Sequence, residues 1–155
     1  MIITEQKPKG KARLFTHSYQ LLIIKKKFMA KRIFISFAAE DSLYRDLLTG
    51  QARNEKSPFE FVDMSVKEPW SDDWKNKCRT KIKGCDGMIT LISKKTYSAS
   101  GAKFEMRCAN EEGVPLRGVY IDYDDKDSIT IPSELEGKRV VRWTWENIES
   151  FVDSL

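Results

Sequence analysis

Histidine occurs once in the chain, at His17, well upstream of the first strong strand signal. Everything after it lacks an imidazole, which excludes Ser-His-Asp and Cys-His catalysis and a histidine-ligated metal from the globular part. Cysteine is scarce too. Cys78, Cys85 and Cys108 form no C-x-x-C pair, and an odd number without a secretory signal points to free thiols in a reducing compartment. No apolar run approaches the ~20 residues of a bilayer span, and Leu21-Leu22-Ile23-Ile24 falls short of the ~7 residues of a signal-peptide core. The expectation is a cytoplasmic protein with no membrane partner. Neither G-x-x-x-x-G-K-S/T nor G-x-G-x-x-G occurs, so the usual glycine-rich phosphate cradles are missing. Internal repeats and low-complexity tracts are absent, and 155 residues with 41% hydrophobic content suit a single core.

What charge there is lies unevenly. Residues 1–28 hold seven basic side chains against Glu5, a charge of +6; the whole chain is +4, which leaves residues 29–155 at −2. Duplex binding needs a basic footprint on a folded face, and here the excess sits in a Lys-rich leader, so nucleic acid is not the expected partner. Met29-Ala30-Lys31-Arg32 immediately precedes the first strand signal. That points to a domain over 29–155 and a basic leader over 1–28, disordered or upstream of the true start. A polyanion-binding arm is the other reading.

After Met29, strands and helices alternate. Ile33-Phe34-Ile35-Ser36-Phe37 has the apolar, β-branched and aromatic content of a strand buried on both faces. Leu43, Tyr44, Leu47 and Leu48 follow at helical spacing up to Gly50. A second strand is read over 59–63, then a helix opened by Ser71-Asp72-Asp73 with Trp74, Cys78 and Ile82 on one stripe. Met88 to Ile92 is the third strand, followed by a Ser-rich loop over 93–100 and a helix carrying Ala102, Phe104, Met106, Cys108 and Ala109. Leu116 to Ile121 and Val140 to Trp143 complete five strands, and Ile148, Phe151, Val152 and Leu155 share one face of a last helix. Such alternation implies right-handed βαβ crossovers and a flavodoxin-like three-layer sandwich. Its five-stranded parallel sheet takes the order 2-1-3-4-5 and opens its ligand crevice beyond strands 1 and 3.

Several chemistries fail by position. A flavin mononucleotide site wants a hydroxyl- and glycine-rich loop after strand 1, where Ala38-Ala39-Glu40-Asp41 is acidic. A receiver domain wants an aspartate at the end of strand 3, where Ser93 stands. Asp122, Asp124, Asp125 and Asp127 suggest calcium, but Lys126 and the missing central glycine spoil the loop, and a solvated loop is the plainer reading. Trp143 and Trp145 could stack on a base, although strand alternation favours one in the core and one under a helix. The polar groups that converge on the crevice are Ser36, Glu40 and Asp41 after strand 1, and Ser93, Tyr97, Ser98 and Ser100 after strand 3. Glu105 joins them from the third helix. If Phe104 and Cys108 mark that helix's buried face, Glu105 lies about 100° round from Phe104, near the edge of the stripe.

In order and spacing, four stretches together resemble the bacterial TIR-like family, notably the TIR-like subunit of Thoeris anti-phage defence systems. They are Lys31 to Phe37, Phe61-Val62-Asp63-Met64-Ser65, Ile89 to Ser93 with Thr96 and Ser98, and Phe104-Glu105-Met106. The resemblance spans about residues 30 to 123. It implies a soluble enzyme that takes NAD as substrate, with no other cofactor, and cleaves the nicotinamide-ribose bond. ADP-ribose is then released or cyclised as a signal, the work of an NAD glycohydrolase or ADP-ribosyl cyclase. Glu105 matches the family's catalytic glutamate, with Ser36, Phe37, Asp41, Ser93 and Tyr97 lining the substrate crevice. Asp63, Ser65 and Trp70 fall in the loop after strand 2 that the family uses for self-association or to complete a neighbour's site. A SIR2-like or other nucleotide-sensing effector is the implied partner. One departure stands out: where members commonly have a Trp four residues before the glutamate, this chain has Gly101, which removes an aromatic wall and weakens the helix start. The competing reading is a non-catalytic TIR-like interaction or nucleotide-sensing module.

Overall fold

The computed structural model describes residues 17–22, 24, 30–55, 59–64 and 71–155. Of the leader, residues 17–22 and 24 are helical; the rest of 1–28, together with Met29, lies outside the described residues. The folded body is Lys31–Leu155.

Five strands build its sheet: β1 (Lys31–Ser36), β2 (Phe59–Val62), β3 (Gly87–Ile92), β4 (Leu116–Tyr120) and β5 (Val140–Arg142). All neighbours are parallel and the order is β2-β1-β3-β4-β5, as the alternating pattern predicts. Three helices connect the first four strands, α1 (Ser42–Asn54), α2 (Asp72–Lys83) and α3 (Ser100–Glu111), and α4 (Trp145–Asp153) follows β5. Every residue of β3 is buried, the signature of a central strand covered on both sides. Alternation along the strands sorts the core into two layers. On one side Phe34, Met88 and Ile92 meet Trp74, Cys78 and Ile82 of α2 and Ala102, Met106 and Ala109 of α3. On the other, Ile33, Ile35, Ile89 and Leu91 meet Leu48 and Ala52 of α1 and Ile148, Phe151 and Val152 of α4. The three cysteines are buried free thiols.

Helix ends follow local chemistry. Ser71 accepts a hydrogen bond from the Trp74 amide at 3.1 Å to open α2, and Thr144 accepts one from the Asn147 amide at 3.2 Å to open α4. Gly113, at φ 68°, takes the left-handed conformation that stops the chain after α3. At Gly87 a side chain would put its Cβ 2.7 Å from Leu155 Cδ1, so the missing side chain is what lets the C-terminal segment lie against β3.

Two expectations change. The first helix does not stop at Gly50 but runs through it to Asn54, because Leu48 and Ala52, four apart, both bury against the sheet, and the Gln51 carboxamide oxygen accepts a hydrogen bond from Trp143 Nε1 at 2.8 Å. Leu43 and Leu47, read as part of its apolar face, are 64% and 54% exposed. The first, second, fourth and fifth strands end at Ser36, Val62, Tyr120 and Arg142, each one residue short of the reading.

Candidate functional site

The order of the sheet reverses at β1: the chain passes from β1 outward to β2 and then back across to β3. In open α/β sheets that reversal leaves a crevice beyond the carboxyl ends of the two diverging strands. Ser36 is the last residue of β1, and α3 crosses above it on the side of Phe34 and Met88.

There the Ser36 hydroxyl donates to Glu105 Oε2 at 2.7 Å, with the Ala102 carbonyl as a weaker second acceptor at 3.4 Å. Both side chains are buried, Glu105 to 1% exposure. The spacing argument placed Glu105 at the edge of the stripe, and the structure corrects it. Ala102, Glu105, Met106 and Ala109 occupy i, i+3, i+4 and i+7 and together form the buried face, while Phe104 is only half-buried. A carboxylate thus sits where packing alone would place an aliphatic residue. Burial without a donor would cost it several kcal/mol, and a hydrogen bond to a charged acceptor returns roughly 1.5–3 kcal/mol. Beside this pair, Thr90 of β3 is the register partner of Ser36 and projects from the same face of the sheet. Its hydroxyl is fully buried and has no hydrogen-bond partner among the described residues.

A second group spans the mouth of the crevice. Asp41, buried in the 3-10 turn Ala39–Asp41, accepts from the Ser93 hydroxyl at 2.6 Å, joining the segment after β1 to the segment after β3. The Ser93 amide donates to Thr96 Oγ1 at 2.8 Å, and its hydroxyl accepts from the Lys95 amide at 3.1 Å, so Ser93 is held from three sides. A cavity of about 270 Å³ opens here, lined by Asp41, Ser93, Glu40, Asp122 and Asp125 among others. Lys94 reaches Asp125 at 2.5 Å, and its hydrogen bond, with one from Ser128, holds that carboxyl below its usual range. Asp125 of the acidic loop is spent on these local bonds.

Phe37 is buried under the Arg45 guanidinium, 5.4 Å from its ring centroid. Arg45 in turn bonds Asp63 and pairs with Asp46 at 2.7 Å, and the Asp63 hydrogen bond raises its already high pKa. Asp63 is therefore tied to α1 within the chain. Ser65 and Trp70, grouped with it in the sequence, lie outside the described residues.

Tyr97 goes elsewhere. Half-exposed, it lines a separate cavity of about 400 Å³ with Lys75 of α2 and Ser100, Lys103, Phe104 and Arg107 of α3. So of the residues singled out from the sequence, Ser36 and Glu105 form one buried pair, Asp41 and Ser93 another at the mouth, Phe37 a wall beneath Arg45, and Tyr97 stands apart. Neither of the two cavities is lined by Ser36 or Glu105. Arg45 and Thr90 were not picked out as site residues; the signal available for Thr90 was a lone hydroxyl in an otherwise apolar strand. Among the described residues no cluster of histidine, cysteine and acidic side chains could hold a metal ion. The chemistry on offer is that of a carboxylate set by hydroxyls in a dry site, suited to hydrogen-bonding a diol or opposing a developing positive charge.

Comparison with known proteins adds two findings. The family model described as Thoeris protein ThsB, TIR-like domain, matches residues 34–126, more than half of the chain and the whole stretch from Phe37 to Glu105. Among solved structures, a prokaryotic SEFIR domain superposes with a TM-score of 0.52 over 81% of this chain and 89% of that one, at 14% identity, a likeness of fold alone. No curated protein matches.

Proposed function

Since the chain belongs to the TIR-like domain family of the Thoeris protein ThsB, which sets it in anti-phage defence, we propose that it cleaves the nicotinamide-ribose bond of NAD. The observation that carries this reading is the buried Glu105 carboxylate, held by Ser36 beyond the reversal of the sheet. Nicotinamide leaves as a neutral molecule and takes the bonding electrons of the C–N bond, so no general acid is needed and the missing imidazole costs nothing. Positive charge then develops on the ribose, and a carboxylate stabilises it as carboxylates do in glycoside cleavage. Glu105 would hold the ribose hydroxyls and oppose that charge, with Ser36 fixing its orientation. Water attacking the anomeric carbon and losing a proton gives ADP-ribose; a nucleophile on the substrate itself gives a cyclic product. Asp41 and Ser93 frame the mouth, self-association completes the site, and the product is a signal for a nucleotide-sensing effector of the SIR2-like kind.

One observation favours a second reading, a non-catalytic interaction or sensing module: Glu105 is only 1% exposed. Access for a substrate would be eased by movement of the start of α3, which is loosely made, with no side-chain cap at Ala99 and with Gly101 in its first turn. Nicotinamide release from NAD decides between the two. Purified protein, alone and recovered from phage-infected cells, should release nicotinamide, and Glu105→Gln should lower the rate at least ~100-fold, the scale of losing one preorganised electrostatic group. No release in any state by a folded protein would leave the module reading standing.

A further inference from the structure

The cavity that takes Tyr97 away from the crevice has a chemistry of its own. It lies between α2 and α3, about 400 Å³ in volume, within the range of small-molecule sites. Lys75, Lys103 and Arg107 bring three positive charges to it, Ser98 and Ser100 bring hydroxyls, and no carboxylate lines it. Two of the cations are available to a ligand. Lys103 is half-buried with its ammonium 5.0 Å from the Tyr97 ring centroid, and its charge, with that of Arg107, helps hold the Glu134 carboxyl below its usual range without a direct ion pair to it among the described residues. Arg107 gives one guanidinium nitrogen to Glu134 at 3.2 Å, which leaves the rest of its five donors unspent. On a body whose net charge is negative, a pocket lined by three cations, with Glu134 the one carboxylate paired at its edge among the described residues, is a local reversal of sign. The half-exposed Tyr97 and half-buried Phe104 supply an aromatic wall beside it.

We infer that this cavity is a binding site for a phosphorylated small molecule of nucleoside-diphosphate size, separate from the Glu105 centre. Three cations match the two to three charges of a diphosphate, Arg107 can engage phosphate oxygens in bidentate fashion, the serine hydroxyls complete the oxygen shell, and Tyr97 offers a face to the base or sugar. The inference does not depend on NAD cleavage. A site here can sense a nucleotide in an active enzyme and in a non-catalytic module alike.

Calorimetric titration of the full chain with ADP, adenosine and inorganic phosphate tests it. ADP should bind one to one, adenosine and phosphate at least about tenfold more weakly, and added salt should weaken ADP further. Lys103→Glu and Arg107→Glu should each weaken ADP at least about tenfold, while Arg107→Lys keeps part of the affinity because it retains the charge but loses the fork. Glu105→Gln should leave ADP binding unchanged. The inference is overturned if ADP does not bind, or if both charge reversals leave binding intact in a folded protein, which would assign it to the basic leader. Loss of binding in Glu105→Gln would place ADP in the crevice instead. Preference for an RNA oligonucleotide over ADP, lost in the same reversals, would make the patch a polynucleotide surface and equally overturn it.

Discussion

A buried hydroxyl can either serve a buried carboxylate or burden the core, and Ser36 and Thr90, side by side on two strands, do one each. Ser36→Ala takes from Glu105 a donor at 2.7 Å and should destabilise the fold by about 1–3 kcal/mol, the cost of leaving a buried acceptor short of a partner. Thr90→Val removes a hydroxyl that has no partner among the described residues while keeping the shape, and should be neutral or stabilising by up to about 1 kcal/mol. Urea midpoints measured side by side check both signs; an equal loss in the two variants would mean that Thr90 is bonded in solution. At this scale the sequence was a partial guide. It named Ser36 and Glu105 as neighbours of one crevice, but Phe104 misled the placement of the buried face. Residues at 102, 105, 106 and 109 fit the helical template equally well, and a carboxylate at one of them hid the stripe. Tyr97 was drawn to the crevice by its place in the chain, and the turn Thr96–Ser98 carries it to the neighbouring cavity.

Among the elements, α1 and α3 show how packing overrides a local pattern. Leu47 and Leu48 are adjacent and chemically identical, yet only Leu48 reaches the core. Leu48→Ala should cost about 2–5 kcal/mol and Leu47→Ala no more than about 0.5 kcal/mol, read as shifts in the same urea midpoint. In α3, a Cβ at Gly101 meets nothing within 4 Å, so Gly101→Ala should gain roughly 0.5–1 kcal/mol by firming the first turn. If substrate enters by movement of that turn, the same substitution should slow nicotinamide release while raising stability. The strands were legible because each is a short, dense apolar run between polar loops, and that pattern is what burial on both faces of a parallel sheet demands. Helix limits were less so: Gly50 reads as a stop in isolation, and the anchor that carries α1 past it, Trp143, lies 92 residues away in the chain.

For the molecule as a whole, the division of charge and the placement of its thiols matter most. None of the described helices is long and apolar enough to cross a membrane. Cys85 is pushed up to about 11, chiefly by burial, against an ordinary value near 9. Raised in the folded state, this thiol keeps its proton while its unfolded counterpart gives it up, so the folded state loses ground as pH rises from about 9 to about 11. The urea midpoint of the wild type should fall across that window, and fall less in Cys85→Ala. A slope unchanged by the substitution would mean that the thiol ionises alike in both states. The parallel sheet and its order were readable at this scale from alternation alone. The contrast between the two cavities lined by described residues was not, because their walls come from segments that meet only after the helices have packed.

Position 105 also sets folding and the proposed function at odds. Its neighbours Ala102, Met106 and Ala109 form a surface that leucine or methionine would fill without the desolvation a carboxylate suffers. Selection for abundance alone would favour an apolar residue there, so under the proposed role a variant freed of the glutamate would trade that role for stability.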